Sequence, residues 1–199
     1  MMRLGILSSH EGSLLQLVMD CCASKKIPAT IDLVISNNSH SRAYKRATAT
    51  GATTLHLSSK THGDPDLLDK AMLDALVDHG VSQVLLAGFM RKIGPRTLAH
   101  FRGRIINTHP SLLPRFGGKG FYGRRVHEAV LASGVKETGA SVHQVTDEYD
   151  KGSVIAQVHV PVYALDTVEN IENRVKSAER DLLVNTLIEL SKTDIFLHS

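Results

Sequence analysis

Two rhythms of apolar residues alternate along the chain. Short continuous runs, such as Leu4–Leu7, Leu33–Ile35 and Val84–Ala87, give way to stretches with apolar positions three and four apart. The first kind suits strands covered on both faces, and the second suits amphipathic helices. Strands are expected at Leu4–Ser9, Ala29–Ile35, Thr53–Leu57, Gln83–Ala87 and Arg104–Ile106. Helices are expected over Leu14–Cys22, over Ser41–Thr48, from Asp64-Pro65 and, briefly, from Pro95. The third of these carries Leu68, Met72, Ala75 and Leu76 on one face and proline at its first position. Strands alternating with helices predict right-handed βαβ units. They build an open, mostly parallel, twisted α/β sheet with helices on both faces.

The pattern changes after Pro114. Arg115–Gly123 is rich in glycine and reads as a mobile loop, Gly117–Gly123 above all. A helix follows over Arg124–Ser133, with Val126, Ala129 and Val130 inward. Thr138–Val145 alternates like a half-exposed strand, and Val154–Val160 is the next one; a short acidic turn between them makes an antiparallel hairpin at the sheet edge. Asp166-Thr-Val-Glu169 is an acidic form of the capping box. It opens a long helix with Val168, Ile171, Val175, Ala178 and Leu182 in one stripe. No repeat or linker interrupts the chain, so residues 1–199 read as a single domain.

Composition narrows the class. With 42% hydrophobic and 22% charged residues, the 199-residue chain is an ordinary globular one. No apolar run approaches the roughly 20 residues that span a bilayer, and Met1–Ser9 is too short for a signal peptide, so no membrane partner is expected. Cys21 and Cys22 are adjacent and cannot staple the fold, which fits reduced thiols and a cytoplasmic location. Aromatic residues at 5%, without tryptophan, leave little for base stacking, so no nucleic-acid partner is expected. None of the 11 histidines falls in a zinc-binding spacing, and no metal is expected. A net charge of +3 suits small anionic substrates without choosing among them.

Candidate chemistry gathers at the expected carboxyl ends of the strands, where open α/β sheets bind ligands. Asn107 and His109 close the strand that Pro110 and Pro114 must stop. Two residues apart in an extended segment, they point the same way. They read either as a donor and an imidazole facing one ligand, or as a turn cap and a surface histidine. The Gly12-Ser13 turn before a helix offers free N–H groups to a phosphate, or is an ordinary turn with Ser13 as N-cap. The Phe89–Ile93 loop is expected on the same rim. Asp150 either orients His109 and supports its charged form, or shapes its Asp-Lys-Gly turn. An amide, an imidazole and a carboxylate suit acyl transfer to an amine that is its own nucleophile.

Asn107-Thr-His109-Pro-Ser-Leu-Leu-Pro114, Ser141-Val-His143, Thr146-Asp-Glu-Tyr-Asp150 and Ala87-Gly-Phe-Met-Arg-Lys-Ile93 together resemble the phosphoribosylglycinamide formyltransferase family of folate-dependent enzymes. The resemblance runs from Ile6 into the last helix. It implies a Rossmann-like formyltransferase fold, with residues 1–100 as a phosphate-binding half and 101–199 as a catalytic and folate-binding half. It implies formyl transfer from 10-formyltetrahydrofolate to the amine of glycinamide ribonucleotide, in de novo purine synthesis. By the same resemblance Asn107, His109 and Asp150 are catalytic, and Met90, Arg91, Lys92, Ile93 and Asn107 hold the reduced folate. Gly12, Ser13 and Leu14 bind the substrate phosphate, and Glu179 meets the ribose hydroxyls. A homodimer is left open. Two departures stand out. Ser9-His10-Glu11-Gly12-Ser13-Leu14 replaces a Ser-Gly-x-Gly-Ser-Asn pattern, and His62–Pro65 lacks the family's folate-reaching arginine. Sugar-nucleotide N-formyltransferases share the Asn/His/Asp set and are the alternative, with a non-catalytic folate- or nucleotide-binding protein as the other.

Overall fold

The N-terminal apolar run forms β1 (Met2–Ser8), buried from Leu4 to its end. The computed structural model describes residues 1–194. Seven strands form a sheet in the order β3-β2-β1-β4-β5-β6-β7. The chain divides into two compact units, Met1–Ile106 with the chain from Leu187, and Asn107–Thr186.

In the first unit, β1 pairs in parallel with β2 (Ala29–Ser36) and with β4 (Gln83–Leu86), and β2 pairs in parallel with β3 (Thr54–His56). Every residue of β4 is buried, as a run apolar on both faces requires. The expected helices appear as α1 (Ser13–Ala23), α2 (Arg42–Ala49), α3 (Pro65–Asp78) and α4 (Pro95–His100). Ser41 caps α2 by accepting from the Tyr44 N–H, and Asp64 caps α3 by accepting from the Asp66 N–H. Ser13 is not the N-cap of α1. That position belongs to Gly12 at φ 68°, and no side chain caps the helix. Helix α4 starts at Gly94, which has no side chain to offer. The buried Asp69 of α3 caps it instead, accepting from Arg96 N (2.7 Å), Thr97 N (3.1 Å) and Thr97 Oγ1 (2.6 Å).

Strand β5 (Ile105–His109) carries the chain into the second unit, with α5 (Arg124–Ala132), β6 (Glu137–Gln144), β7 (Val154–Pro161) and α6 (Val168–Asp194). Strands β6 and β7 are antiparallel, and β7 ends the sheet, as the hairpin pattern predicts. Strand β6 is not half-exposed: Thr138 to His143 are all buried. Ala140 joins Val130, Val160, Ile171 and Val175 in a core with α5 and α6. On the opposite face, the Ser141 hydroxyl donates to Ser111 O (2.6 Å) and accepts from Leu113 N (3.0 Å). The proline-bounded segment after β5 therefore covers the polar face of β6, which alternation alone assigns to solvent. The capping box of α6 also differs from expectation. Thr167 Oγ1 accepts from Asn170 N (3.2 Å), and Asn170 Oδ1 accepts from Thr167 N (2.9 Å). The Asp166 carboxylate is taken by Arg174 and by the Tyr163 N–H, which hold its pKa at about 2.

Candidate active site

Strand β5 carries Asn107 and His109 two residues apart, so both side chains project to one side and meet β6 and the loop after it. Asn107 Nδ2 lies 3.2 Å from His143 Nε2. The His143 Nδ1 is 2.8 Å from the Gln144 carbonyl. A carbonyl can only accept, so the ring proton is on Nδ1, and Nε2 accepts from Asn107. Burial pushes the His143 pKa below the ordinary histidine value, which fits this neutral ring.

His109, 4% exposed, donates from Nε2 to the Phe116 carbonyl at 2.8 Å. Its Nδ1 faces Asp150 Oδ2 at 3.4 Å. The other carboxylate oxygen of Asp150 lies 3.5 Å from His143 Nε2. Asp150 thus sits between two imidazoles, with its side chain only 11% exposed. Gly118 N–H fixes it with a 2.8 Å bond to Oδ2. Its own backbone is left-handed, at φ 57°, a conformation that aspartate, asparagine and glycine adopt more readily than other residues. A side chain on Gly117 would run into Leu113 and Asp150, so glycine is what lets this loop close over the carboxylate.

The structure thus brings Asn107, His109 and Asp150 together and adds His143 as the hub between amide and carboxylate. The motif Ser141-Val-His143 marks the residue in the sequence, but its part depends on β6 being covered. Glu179 of α6 is 9% exposed. Burial raises its pKa, while a hydrogen bond with Thr108 and the Lys176 charge act the other way. Arg124 pairs with Glu128 and Glu172, and Arg125 lies over the Tyr122 ring, so these two cations are engaged on their own surface.

The remaining candidates lie in the first unit. Gly12 places the start of α1 so that the first intrahelical bond runs from Gln16 N to Gly12 O (2.9 Å). The N–H groups of Ser13, Leu14 and Leu15 precede it and open the helix toward an anion. The Glu11 carboxylate, foreign to the family pattern, is paired with Arg42 at 2.9 Å. Arg46 Nε donates to the Glu11 carbonyl at 3.1 Å. Met90 and Arg91 are exposed and Ile93 is buried, and the Met90 N–H donates to Ser9 Oγ (2.9 Å). Lys92 is exposed.

No helix among the described residues is long and apolar enough to cross a membrane. A formyl transferase family model matches residues 2–187. The phosphoribosylglycinamide formyltransferase of Escherichia coli K12 is 37% identical over 178 residues, 89% of this chain and 82% of that one. The crystal structure of glycinamide ribonucleotide transformylase 1 from Symbiobacterium toebii matches with a TM-score of 0.89 at 34% identity, covering 97% of this chain and 89% of that one. A formyltetrahydrofolate deformylase from Pseudomonas syringae matches with a TM-score of 0.81 at 25% identity, over 94% of this chain but 60% of its own. A side-chain set suited to acyl transfer, a sheet shared with these structures and a family match over almost the whole length lead to one conclusion: the chain belongs to the formyl transferase family.

Proposed function

We propose that the chain is a phosphoribosylglycinamide formyltransferase. It moves the formyl group of 10-formyltetrahydrofolate to the amine of glycinamide ribonucleotide, in the cytoplasm and in de novo purine synthesis. Residues 1–199 act as one formyltransferase domain. The observation that carries the reading is the run of close approaches from Asn107 to His143 (3.2 Å), His143 to Asp150 (3.5 Å) and Asp150 to His109 (3.4 Å). The reduced folate supplies the formyl group.

The acceptor amine attacks the formyl carbon, and the carbonyl oxygen gathers negative charge. One hydrogen of the Asn107 amide is spent on His143, and the second is available to that oxygen. His109 supplies a further donor when its Nε2–H exchanges the Phe116 carbonyl for the substrate oxygen. Asp150, held by Gly118, stands beside His109 Nδ1 while the proton lost by the amine passes to the folate nitrogen. The oxyanion collapses, the bond between that nitrogen and the formyl carbon breaks, and the formamide and tetrahydrofolate are released. Ser13, Leu14 and Gly12 receive the phosphate at the open start of α1, and Glu179 meets the ribose hydroxyls. Met90, Arg91, Lys92 and Ile93 hold the reduced folate, a role that the exposed thioether beside a guanidinium suits.

The test uses purified protein with 10-formyltetrahydrofolate, with and without glycinamide ribonucleotide, while the folate absorbance is followed. Turnover that requires the ribonucleotide is expected. Turnover without any amine acceptor would make the chain a hydrolase. Turnover only with an amino-sugar nucleotide would move it to the sugar-nucleotide enzymes, and binding without turnover would leave a binding protein.

A further inference from the structure

Phe116 is a bulky residue in the left-handed region, at φ 53°. Such residues seldom adopt that backbone, and those that do are held there by their surroundings. Two side chains face its carbonyl. His109 Nε2 donates to it at 2.8 Å, and the Ser111 hydroxyl stands 3.5 Å away. Ser111 is fully buried, and its hydrogen is directed elsewhere, to the Arg115 carbonyl at 2.6 Å. The turn that joins these residues is fixed unevenly. Near its start, the Ser141 hydroxyl donates to Ser111 O (2.6 Å) and accepts from Leu113 N (3.0 Å). Gln157 Nε2 adds bonds to Leu113 O (3.0 Å) and Ser141 Oγ (2.8 Å). Beyond Arg115, the grip comes from the reacting groups themselves: His109 on the Phe116 carbonyl, and Asp150 on the Gly118 N–H (2.8 Å).

In the reaction described above, His109 Nε2–H leaves the Phe116 carbonyl for the substrate oxygen. The carbonyl then needs another donor, because an acceptor left bare away from water is costly. A hydroxyl hydrogen rotates to suit its partners, and Ser111 carries the one beside this carbonyl. We propose that Ser111 is a positioning residue for formyl transfer, whose hydroxyl moves from the Arg115 carbonyl to the Phe116 carbonyl as His109 turns to the formyl oxygen. The proposal rests on the role given to His109. Ser111 stays pinned to β6 by Ser141, so the exchange needs a rotation of its O–H and a small shift of the segment after Arg115. Arg115 is exposed, and water replaces the hydroxyl at its carbonyl. The strained backbone of Phe116 makes the resting arrangement easier to leave.

The test follows the ring nitrogen NMR signals of His109, assigned by their loss in His109→Asn, in the free protein and with saturating 10-formyltetrahydrofolate. No acceptor amine is present, so the outcome is separate from the turnover assay that tests the choice of acceptor. In the parent, the Nε2 signal is expected to move when the formyl donor is added. In Ser111→Ala the free protein should give the parental signal. The fraction of His109 that turns to the formyl oxygen should fall about fivefold, the low end for a carbonyl left without a donor, as suits the half-buried Phe116. Turnover with glycinamide ribonucleotide should fall by a similar factor. Ser111→Cys, with a weaker donor of similar size, should lie between the two and serves if the alanine variant does not fold. Ser141→Ala loosens the same turn without touching the Phe116 carbonyl, so it should lower the thermal midpoint and keep the parental shift. An Nε2 signal that the formyl donor does not move would overturn the proposal. So would a parental response in every folded Ser111 variant, or an equal loss in Ser141→Ala, which would leave Ser111 a purely structural residue.

Discussion

Asp150→Asn separates charge from shape at the centre of the site. Asparagine accepts the left-handed backbone at φ 57° as well as aspartate does, so the loop keeps its path. Its amide oxygen can still receive the Gly118 N–H, now as a neutral acceptor. A hydrogen bond to a charged group contributes about 1.5–3 kcal/mol and a neutral one about 0.5–1.5 kcal/mol. The fold therefore loses about 1 kcal/mol, or about 2–4 °C of thermal midpoint in a chain of this size. The reaction loses more. The carboxylate stands 3.4 Å from His109 and 3.5 Å from His143, and losing a positioned acid–base group costs about 10²–10⁴ in rate. That is about 3–5 kcal/mol on the barrier, several times the effect on the fold. Turnover, Michaelis constants and thermal midpoint are measured on one sample, and the fall is expected in kcat. Asp150→Ala serves as the control, because alanine adds about 1–2 kcal/mol of backbone strain. Titration of His143 by NMR gives a second readout. The Asp150 charge raises its pKa against the larger effect of burial, so Asp150→Asn should lower it further. A variant with near-parental kcat and a lowered midpoint would refute the reasoning and leave Asp150 a turn residue.

Asn107→Ala is expected to lower kcat by about 10²–10³ while the protein stays folded and binds the reduced folate; parental turnover would dismiss the oxyanion role. Gly12→Ala places a methyl group 2.7 Å from the Ala43 Cα at φ 68°. Left-handed strain of about 1–2 kcal/mol and overpacking of about 1–3 kcal/mol should lower the midpoint. The Michaelis constant for the ribonucleotide should rise more than kcat falls, and an unchanged constant would count against the phosphate turn. For His143, burial holds the folded pKa below 6.5, so the unfolded chain binds the extra proton. Its contribution to stability is complete above that pH and is lost as pH falls, which midpoints across the acid range would check. For Glu179 the sign reverses: burial raises the folded pKa above 4.5, so its contribution is complete below that pH and lost as pH rises. Glu179→Gln should therefore raise the midpoint at alkaline pH while weakening ribonucleotide binding, and an unchanged alkaline midpoint would disprove the sign.

The regular part of this fold is legible because its central strands carry short continuous apolar runs, Ile6–Leu7, Leu33–Ile35 and Val84–Leu86. Gln83–Leu86 can only be buried on both faces, and the Asp64-Pro65 and Ser41 starts carry their caps in the local sequence. Where a partner comes from far along the chain, local pattern misleads. Strand β6 alternates like a half-exposed strand, yet Ser111 and Leu113 cover its polar face and Ser141 serves them. Asp166 resembles a helix cap but is committed to Arg174, and the cap passes to Thr167. Asp69 of α3 holds the start of α4, a cap supplied from a different helix. At the site, residue types at Asn107, His109 and Asp150 suggest their chemistry. The Phe116 carbonyl that occupies His109 Nε2 and the Gly118 N–H that holds Asp150 are backbone groups, which no pattern of side chains can reveal.

The left-handed backbone at Asp150 also bears on how this chain could drift. Codons for aspartate lie one base from those for asparagine and for glycine, and these are the residues that its φ of 57° admits most readily. The changes the backbone tolerates best are therefore ones that remove the carboxylate. Most other replacements would harm folding and be cleared by the cell's quality control. On the role proposed for Asp150, a mutation at this position is expected to lower turnover while the chain still folds. On that proposed role, one base change is enough to separate the fold from its reaction.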